Sequence, residues 1–165
     1  MIQKKVCMLG AFAVGKTSLV ERYVKSIFSE KYQTTVGVKI DKRELSLGGQ
    51  EVKLVLWDLH GEDRFQAIQA SYLRGASGLL LVVDPTRPST LGVAHSLLER
   101  SLGVIGAVPT LVLLNKCDLS AEWAATPAEL EAIAPASCPR LETSAKSGLG
   151  VEQAFTSLAE RMLAP

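Results

Sequence analysis

A chain of 165 residues is expected to form one domain, 1–165, at roughly 150 residues per domain, with enough length to bury an ordinary hydrophobic core. Its 47% hydrophobic and 21% charged residues exclude a disordered chain. Eighteen basic against seventeen acidic side chains, a net +1, argue against nucleic acid or an anionic membrane surface as the main partner.

The elements follow in chain order. Lys4 to Gly10 reads as a short strand entering a turn, and Gly15 to Ser26 as a helix. Lys39 to Leu47 alternates polar and apolar residues, meets Gly48-Gly49 and resumes at Val52 to Trp57, which predicts a hairpin. Gly78 to Asp84 and Thr110 to Asn115 are apolar without alternation, as strands covered on both faces are. A helical stretch lies between them, from Ser89 to Arg100. Pro127 to Ala134 reads as a short helix with Thr126 as its N-cap, and Arg140 to Glu142 as a short strand. The final helix places Val151, Ala154, Phe155, Leu158 and Met162 on one face, which predicts core packing. This alternation predicts an α/β fold of three layers: a six-stranded, mostly parallel sheet with the strand from Lys39 to Leu47 antiparallel at one edge.

Gly10-Ala11-Phe12-Ala13-Val14-Gly15-Lys16-Thr17 matches GxxxxGK[ST] between a predicted strand and a predicted helix. Successive backbone N–H groups at a helix N-terminus, here from Ala13, Val14, Gly15, Lys16, Thr17 and Ser18, cradle a polyphosphate. Gly10 and Gly15 permit the turn and a close approach, since a side chain would take the phosphate's place. Lys16 supplies charge to the β- and γ-phosphates, and the Thr17 hydroxyl coordinates Mg2+.

That loop alone does not separate ATP from GTP. Asn115-Lys116-Cys117-Asp118 stands at the end of a predicted core strand, where open parallel sheets bind ligands. The Asp118 carboxylate can accept from guanine N1–H and its 2-amino group, whereas adenine would leave it unpaired. Asn115 would tie this loop to the phosphate loop, and the Lys116 stem would lie along the base. The backbone N–H groups of Thr143-Ser144-Ala145-Lys146, after another short strand, are candidates to meet guanine O6. Either tetrapeptide alone reads as a polar loop; together, after the phosphate loop, they point to GTP or GDP.

At this point the chain resembles a Ras-superfamily small GTPase over essentially its whole length, most of all the Rab branch. The stretches that carry the resemblance are Phe28-Ser29-Glu30-Lys31-Tyr32-Gln33-Thr34-Thr35-Val36-Gly37, Trp57-Asp58-Leu59-His60-Gly61-Glu62-Asp63-Arg64-Phe65 and Ser71-Tyr72-Leu73-Arg74-Gly75-Ala76. The resemblance implies that Phe28 lies against guanine and that Tyr32 closes over the phosphates. It gives Thr35 a hydroxyl on Mg2+ and an N–H on the γ-phosphate, Asp58 a Mg2+-bound water, and Gly61 a second N–H on the γ-phosphate. Lys16, Thr35, Gly61 and Glu62 would then be the catalytic group. Loss of the γ-phosphate frees two segments at once, an order–disorder switch. Effectors would meet Phe28–Gly37 and Gly61–Tyr72, with an exchange factor and an activating protein setting the state. Without that spacing, Phe28 and Tyr32 read as surface aromatics; Trp57, Phe65 and Tyr72 read either as core or, by the resemblance to the Rab branch, as an aromatic cluster that helps shape the partner-binding face. Cys117, beside the base-reading loop, could be redox-sensitive, although most isolated cysteines merely pack.

Three residues depart from the family pattern. Glu62 stands where the family generally has the glutamine that orients the attacking water. Phe12 is bulky at a position usually small, and would obstruct an arginine finger worth about 10³–10⁵ in rate. His60 replaces what is commonly alanine, and its protonation could offset Glu62. These residues put hydrolysis in question and leave nucleotide binding intact. The alternative function is a GTP-dependent binding module with negligible hydrolysis. The sequence ends at Arg161-Met162-Leu163-Ala164-Pro165 without a prenylation motif, and residue 2 is Ile, so no membrane anchor is expected in this chain. No secretory signal and no paired cysteine spacing are visible, so the expected location is cytoplasmic.

Overall fold

The strand β1, Ile2–Leu9, ends on four fully buried residues, Val6 to Leu9, because neighbours flank it on both sides. The computed structural model describes residues 1–26, 38–59 and 70–165. Its further strands are β2 (Val38–Leu47), β3 (Gln50–Leu59), β4 (Gly78–Val83), β5 (Thr110–Leu114) and β6 (Arg140–Glu142). They form a six-stranded sheet in the order β2-β3-β1-β4-β5-β6. Every pairing is parallel except β2 with β3, so the antiparallel strand is the expected one and stands at an edge. The hairpin turns at Gly48 and Gly49, whose φ values of 54° and 82° are the pair of left-handed residues that a two-residue turn requires.

The helices are α1 (Lys16–Lys25), α2 (Ala70–Leu73), α3 (Leu91–Ile105), α4 (Pro127–Glu131) and α5 (Val151–Leu163). Alternation along β1 sends Val6 and Met8 toward α1 and α5, and Cys7 and Leu9 toward α2 and α3. The six residues of β4 are all buried, which is why no alternation is visible in them. On the α1–α5 face, Tyr23 and Phe155 stack with ring centroids 4.0 Å apart and planes 6° from parallel. Arg43 from β2 lies over the other side of Tyr23, 4.1 Å from the ring, and pairs with Glu152 at 2.6 Å.

Two helices differ from expectation. α3 begins at Leu91 after a 3-10 turn, Pro88–Thr90, and runs beyond Arg100 to Ile105, because Leu102 and Ile105 pack on the core. α4 stops at Glu131 rather than Ala134. Arg140 draws the following carbonyls into a non-helical arc, donating to Glu131, Ala134, Pro135 and Cys138 over 2.6–2.9 Å. The start of α4 is as read: Thr126 and Glu129 form a reciprocal capping box. No helix among the described residues is long and apolar enough to cross a membrane.

Candidate nucleotide site at the carboxyl ends of the strands

Residues 10–17 join the end of β1 to the start of α1. Gly10 and Gly15 take the positive φ values expected of a tight turn, and packing adds a second reason for glycine. A Cβ on Gly10 (φ 154°) would fall 2.5 Å from the Val82 carbonyl oxygen of β4, and one on Gly15 (φ 107°) 2.2 Å from Asn115 Nδ2. The glycines make room for the neighbouring strand and the neighbouring loop. Ala13 takes a left-handed φ of 61°, so left-handed residues alternate with others through the loop, as in an anion-binding nest. Lys16 is almost fully buried and donates to the Gly10 and Ala11 carbonyls at 3.1 and 3.2 Å. Burial pulls its pKa down to about 8, against the opposing pull of Asp58, with Arg87 lowering it further.

Thr17 donates from Oγ1 to Asp58 Oδ2 at 2.5 Å, which brings the first turn of α1 against the buried end of β3. On the other side, Asn115 follows β5 and its Nδ2 donates to the Val14 carbonyl at 2.9 Å. Its Oδ1 accepts from Thr143 Oγ1 at 3.1 Å, so Asn115 links the loops after β1, β5 and β6. Ser144 Oγ donates to Asp118 Oδ1 at 2.8 Å and accepts from Ser147 N–H at 3.0 Å, aligning the carboxylate expected to read the base. Ser144 and Ala145 are buried beside it, and the Lys146 carbonyl accepts from Arg22 at 3.2 Å.

The structure thus gathers Gly10, Ala13, Val14, Gly15, Lys16, Thr17, Ser18, Asp58, Asn115, Lys116, Asp118, Ser144, Ala145 and Lys146 at one end of the sheet. Phe28, Tyr32, Thr35, His60, Gly61, Glu62 and Phe65 lie outside the described residues, as do Phe28–Gly37 and most of Gly61–Tyr72. The ammonium of Lys116 is tied down beside the phosphate loop: it donates to the Ala13 carbonyl at 3.2 Å and meets Asp84 at 2.8 Å. Burial pushes the Cys117 thiol up and the carboxylates of Glu142 and Asp118 push it further, which disfavours the thiolate that a redox sensor needs.

Asp84, which sequence reasoning placed only at the end of a strand, is fully buried. It accepts from the Thr86 N–H and hydroxyl at 3.0 and 2.6 Å, from Arg87 Nε at 3.0 Å, and pairs with Lys116. Burial alone would raise its pKa; the bonds from Lys116, Thr86 and Arg87 outweigh that and hold the carboxyl below the usual range. The signal that could have found it is a carboxylate directly closing a wholly apolar strand of a parallel sheet.

A glycine-bearing turn from a central strand into a helix, with a second loop bonded to it from β5, defines a P-loop nucleotide-binding fold. The family model described as the Ras family matches residues 5–164. The chain is also 34% identical over 161 residues to the Ras-related protein Rab-13 of Rattus norvegicus, and to that of Bos taurus, covering 96% of this chain and 79% of each relative. The chain belongs to the Ras family of small GTPases, near the Rab branch. Members of this family bind GTP and GDP with Mg2+, hydrolyse GTP, and work with effectors, exchange factors and activating proteins. The donor set here fits that ion: a hydroxyl and a carboxylate, both hard oxygen donors, meet at the mouth of the phosphate loop. No group of three His, Cys, Asp or Glu clusters among the described residues.

Proposed function

We propose that this chain is a guanine-nucleotide switch that recruits a protein partner in its GTP state and hydrolyses GTP slowly. The observation that carries this reading is the bond from Asn115 to Val14, which holds a loop bearing Asp118 against the phosphate loop. The backbone N–H groups of Ala13 to Ser18 and the Lys16 ammonium take the phosphates, and Asp118, aligned by Ser144, takes the guanine edge. Ala145 and Lys146 supply N–H groups toward guanine O6, and Phe28 and Tyr32 flank the base and the phosphates. Thr17, Thr35 and Asp58 would hold Mg2+, which when bound neutralises charge on the phosphate oxygens.

Hydrolysis is assigned to Lys16, Thr35, Gly61 and Glu62, with Thr35 and Gly61 sensing the γ-phosphate. Partners are assigned to Phe28–Gly37 and Gly61–Tyr72. In support, Trp57 of β3 and Tyr72 of α2, both half-buried, lie 6.4 Å apart, with the Lys5 ammonium 3.7 Å over the Trp57 ring. Thr35→Ala is expected to keep GDP while losing GTP-dependent partner binding, read by pull-down with each nucleotide. Equal binding of ATP and GTP by the wild-type protein would sink the assignment of the base.

A further inference from the structure

Three consecutive carbonyls of the phosphate loop are held from outside by three different side chains. Arg87 Nη2 donates to the Phe12 carbonyl at 2.9 Å, Lys116 to Ala13 at 3.2 Å, and Asn115 to Val14 at 2.9 Å. No peptide bond among the described residues is cis, so the C=O and N–H of each peptide unit point in opposite directions. Fixing the carbonyls of residues 12, 13 and 14 outward therefore aims the N–H groups of Ala13, Val14 and Gly15 inward, where an anion sits. Two of the three holders share an anchor. Arg87 Nε and Lys116 Nζ both bond Asp84 Oδ2, at 3.0 and 2.8 Å, and that carboxylate is fully buried.

We infer that Arg87 is a positioning residue for nucleotide binding: held by Asp84, it straps the Phe12 carbonyl and pre-organises the phosphate cradle, slowing nucleotide release. The inference rests on the guanine-nucleotide reading above and concerns how tightly that site holds its ligand. A guanidinium suits the task because its rigid fork reaches two acceptors from separate nitrogens, one on the strand and one on the loop. A lysine at position 87 would keep the charge beside Asp84 without spanning both acceptors. A cradle that is already oriented loses less freedom when it closes on phosphate, so loosening it accelerates dissociation.

The experiment is dissociation of a fluorescent GDP from the full chain, chased with excess unlabelled GDP in Mg2+. Arg87→Lys and Arg87→Ala are each expected to raise the release rate roughly tenfold, the worth of one hydrogen bond in a fixed network. Asp84→Asn is expected to do the same, and adding Arg87→Ala to it to change the rate less than about twofold, because the strap is already unanchored. Thr126→Ala, which removes the capping box of α4, lowers stability at a distance and is expected to leave release unchanged. An unchanged rate in Arg87→Lys, or a Thr126→Ala effect as large as that of Arg87→Lys, overturns the strap. Failure of the wild-type chain to bind the fluorescent GDP at all would count instead against the guanine-nucleotide reading.

Discussion

Gly15 and Asn115 are packed so closely that a side chain at position 15 would collide with the Asn115 amide. A Cβ on Gly15 would stand 2.2 Å from the Asn115 amide nitrogen, the atom that donates to Val14. Asn115 can swing away only by giving up that bond and the one it accepts from Thr143.

Asn115→Ala is therefore expected to cost roughly 2 kcal/mol of nucleotide affinity, because the Val14 carbonyl and the Thr143 hydroxyl lose a buried partner. Gly15→Ala should cost at least as much, since it displaces the same amide and forces a side chain onto a left-handed φ. The double variant should fall close to Gly15→Ala alone. GDP titration of all three checks this, and strictly additive losses would show that the two positions act separately.

Asp118→Asn is expected to weaken GTP and favour XTP, because an amide donor would then face the 2-oxo group of xanthine. Ser144→Ala should weaken GTP by roughly tenfold or less without shifting preference toward XTP, since it removes only the bond that aligns the carboxylate. Competition binding with GTP, XTP and ATP separates the two outcomes. Unchanged GTP affinity in Asp118→Asn would remove the basis for assigning the base.

Lys16 sets a pH dependence whose sign follows from its burial. In the nucleotide-free protein its pKa is lowered to about 8 from 10.5, so the ammonium is progressively lost above that pH. Phosphate favours the charged form and restores the higher value, so binding above pH 8 must take up a proton. GDP affinity is expected to be flat below about pH 7 and to fall with pH above 8, by at most tenfold per unit. Calorimetry in two buffers of different ionisation enthalpy reads that proton directly. Proton release at pH 8.5 would contradict it.

Two substitutions test catalysis. If Glu62 holds water poorly and Phe12 obstructs a finger, intrinsic hydrolysis should be slow and little stimulated by Ras- or Rab-type activators. Glu62→Gln is expected to raise the intrinsic rate, whereas Phe12→Gly should chiefly restore access for an added arginine, whose contribution is about 10³–10⁵. Single-turnover rates of wild type and both variants, with and without an activator, from about pH 6 to 8, cover the range of an ordinary histidine. A rate that drops in Glu62→Gln would make Glu62 an active participant.

The core offers a test independent of any ligand. The Tyr23 hydroxyl is buried and finds no hydrogen-bond partner among the described residues, and burial raises its pKa to about 12 despite Arg43. Tyr23→Phe keeps the stack on Phe155 and the Arg43 contact while removing that polar atom. Chemical denaturation is expected to show it neutral or stabilised by up to ~1 kcal/mol. A loss above that would mean that the hydroxyl is satisfied by water.

Local signals in the sequence settled a good deal. Unbroken apolar runs marked β4 and β5 because both faces of those strands are covered, and Gly48-Gly49 marked the hairpin because its turn needs two left-handed residues. The spacing of Gly10, Gly15, Lys16 and Thr17 marked the phosphate loop, since backbone geometry over a few residues is a local property. Tertiary structure decided what depends on contacts between distant segments. That Val82 and Asn115 also exclude a side chain at Gly10 and Gly15 is visible only in the fold, as is where α4 ends, by the carbonyls that Arg140 gathers. Asp84 and Arg87 show the limit most clearly. Neither belongs to a recurrent short pattern, and their meaning arises only when β4 delivers a buried carboxylate between the phosphate loop and Lys116. Hydrogen bonds act over about 3 Å in space, whatever separates their partners along the chain.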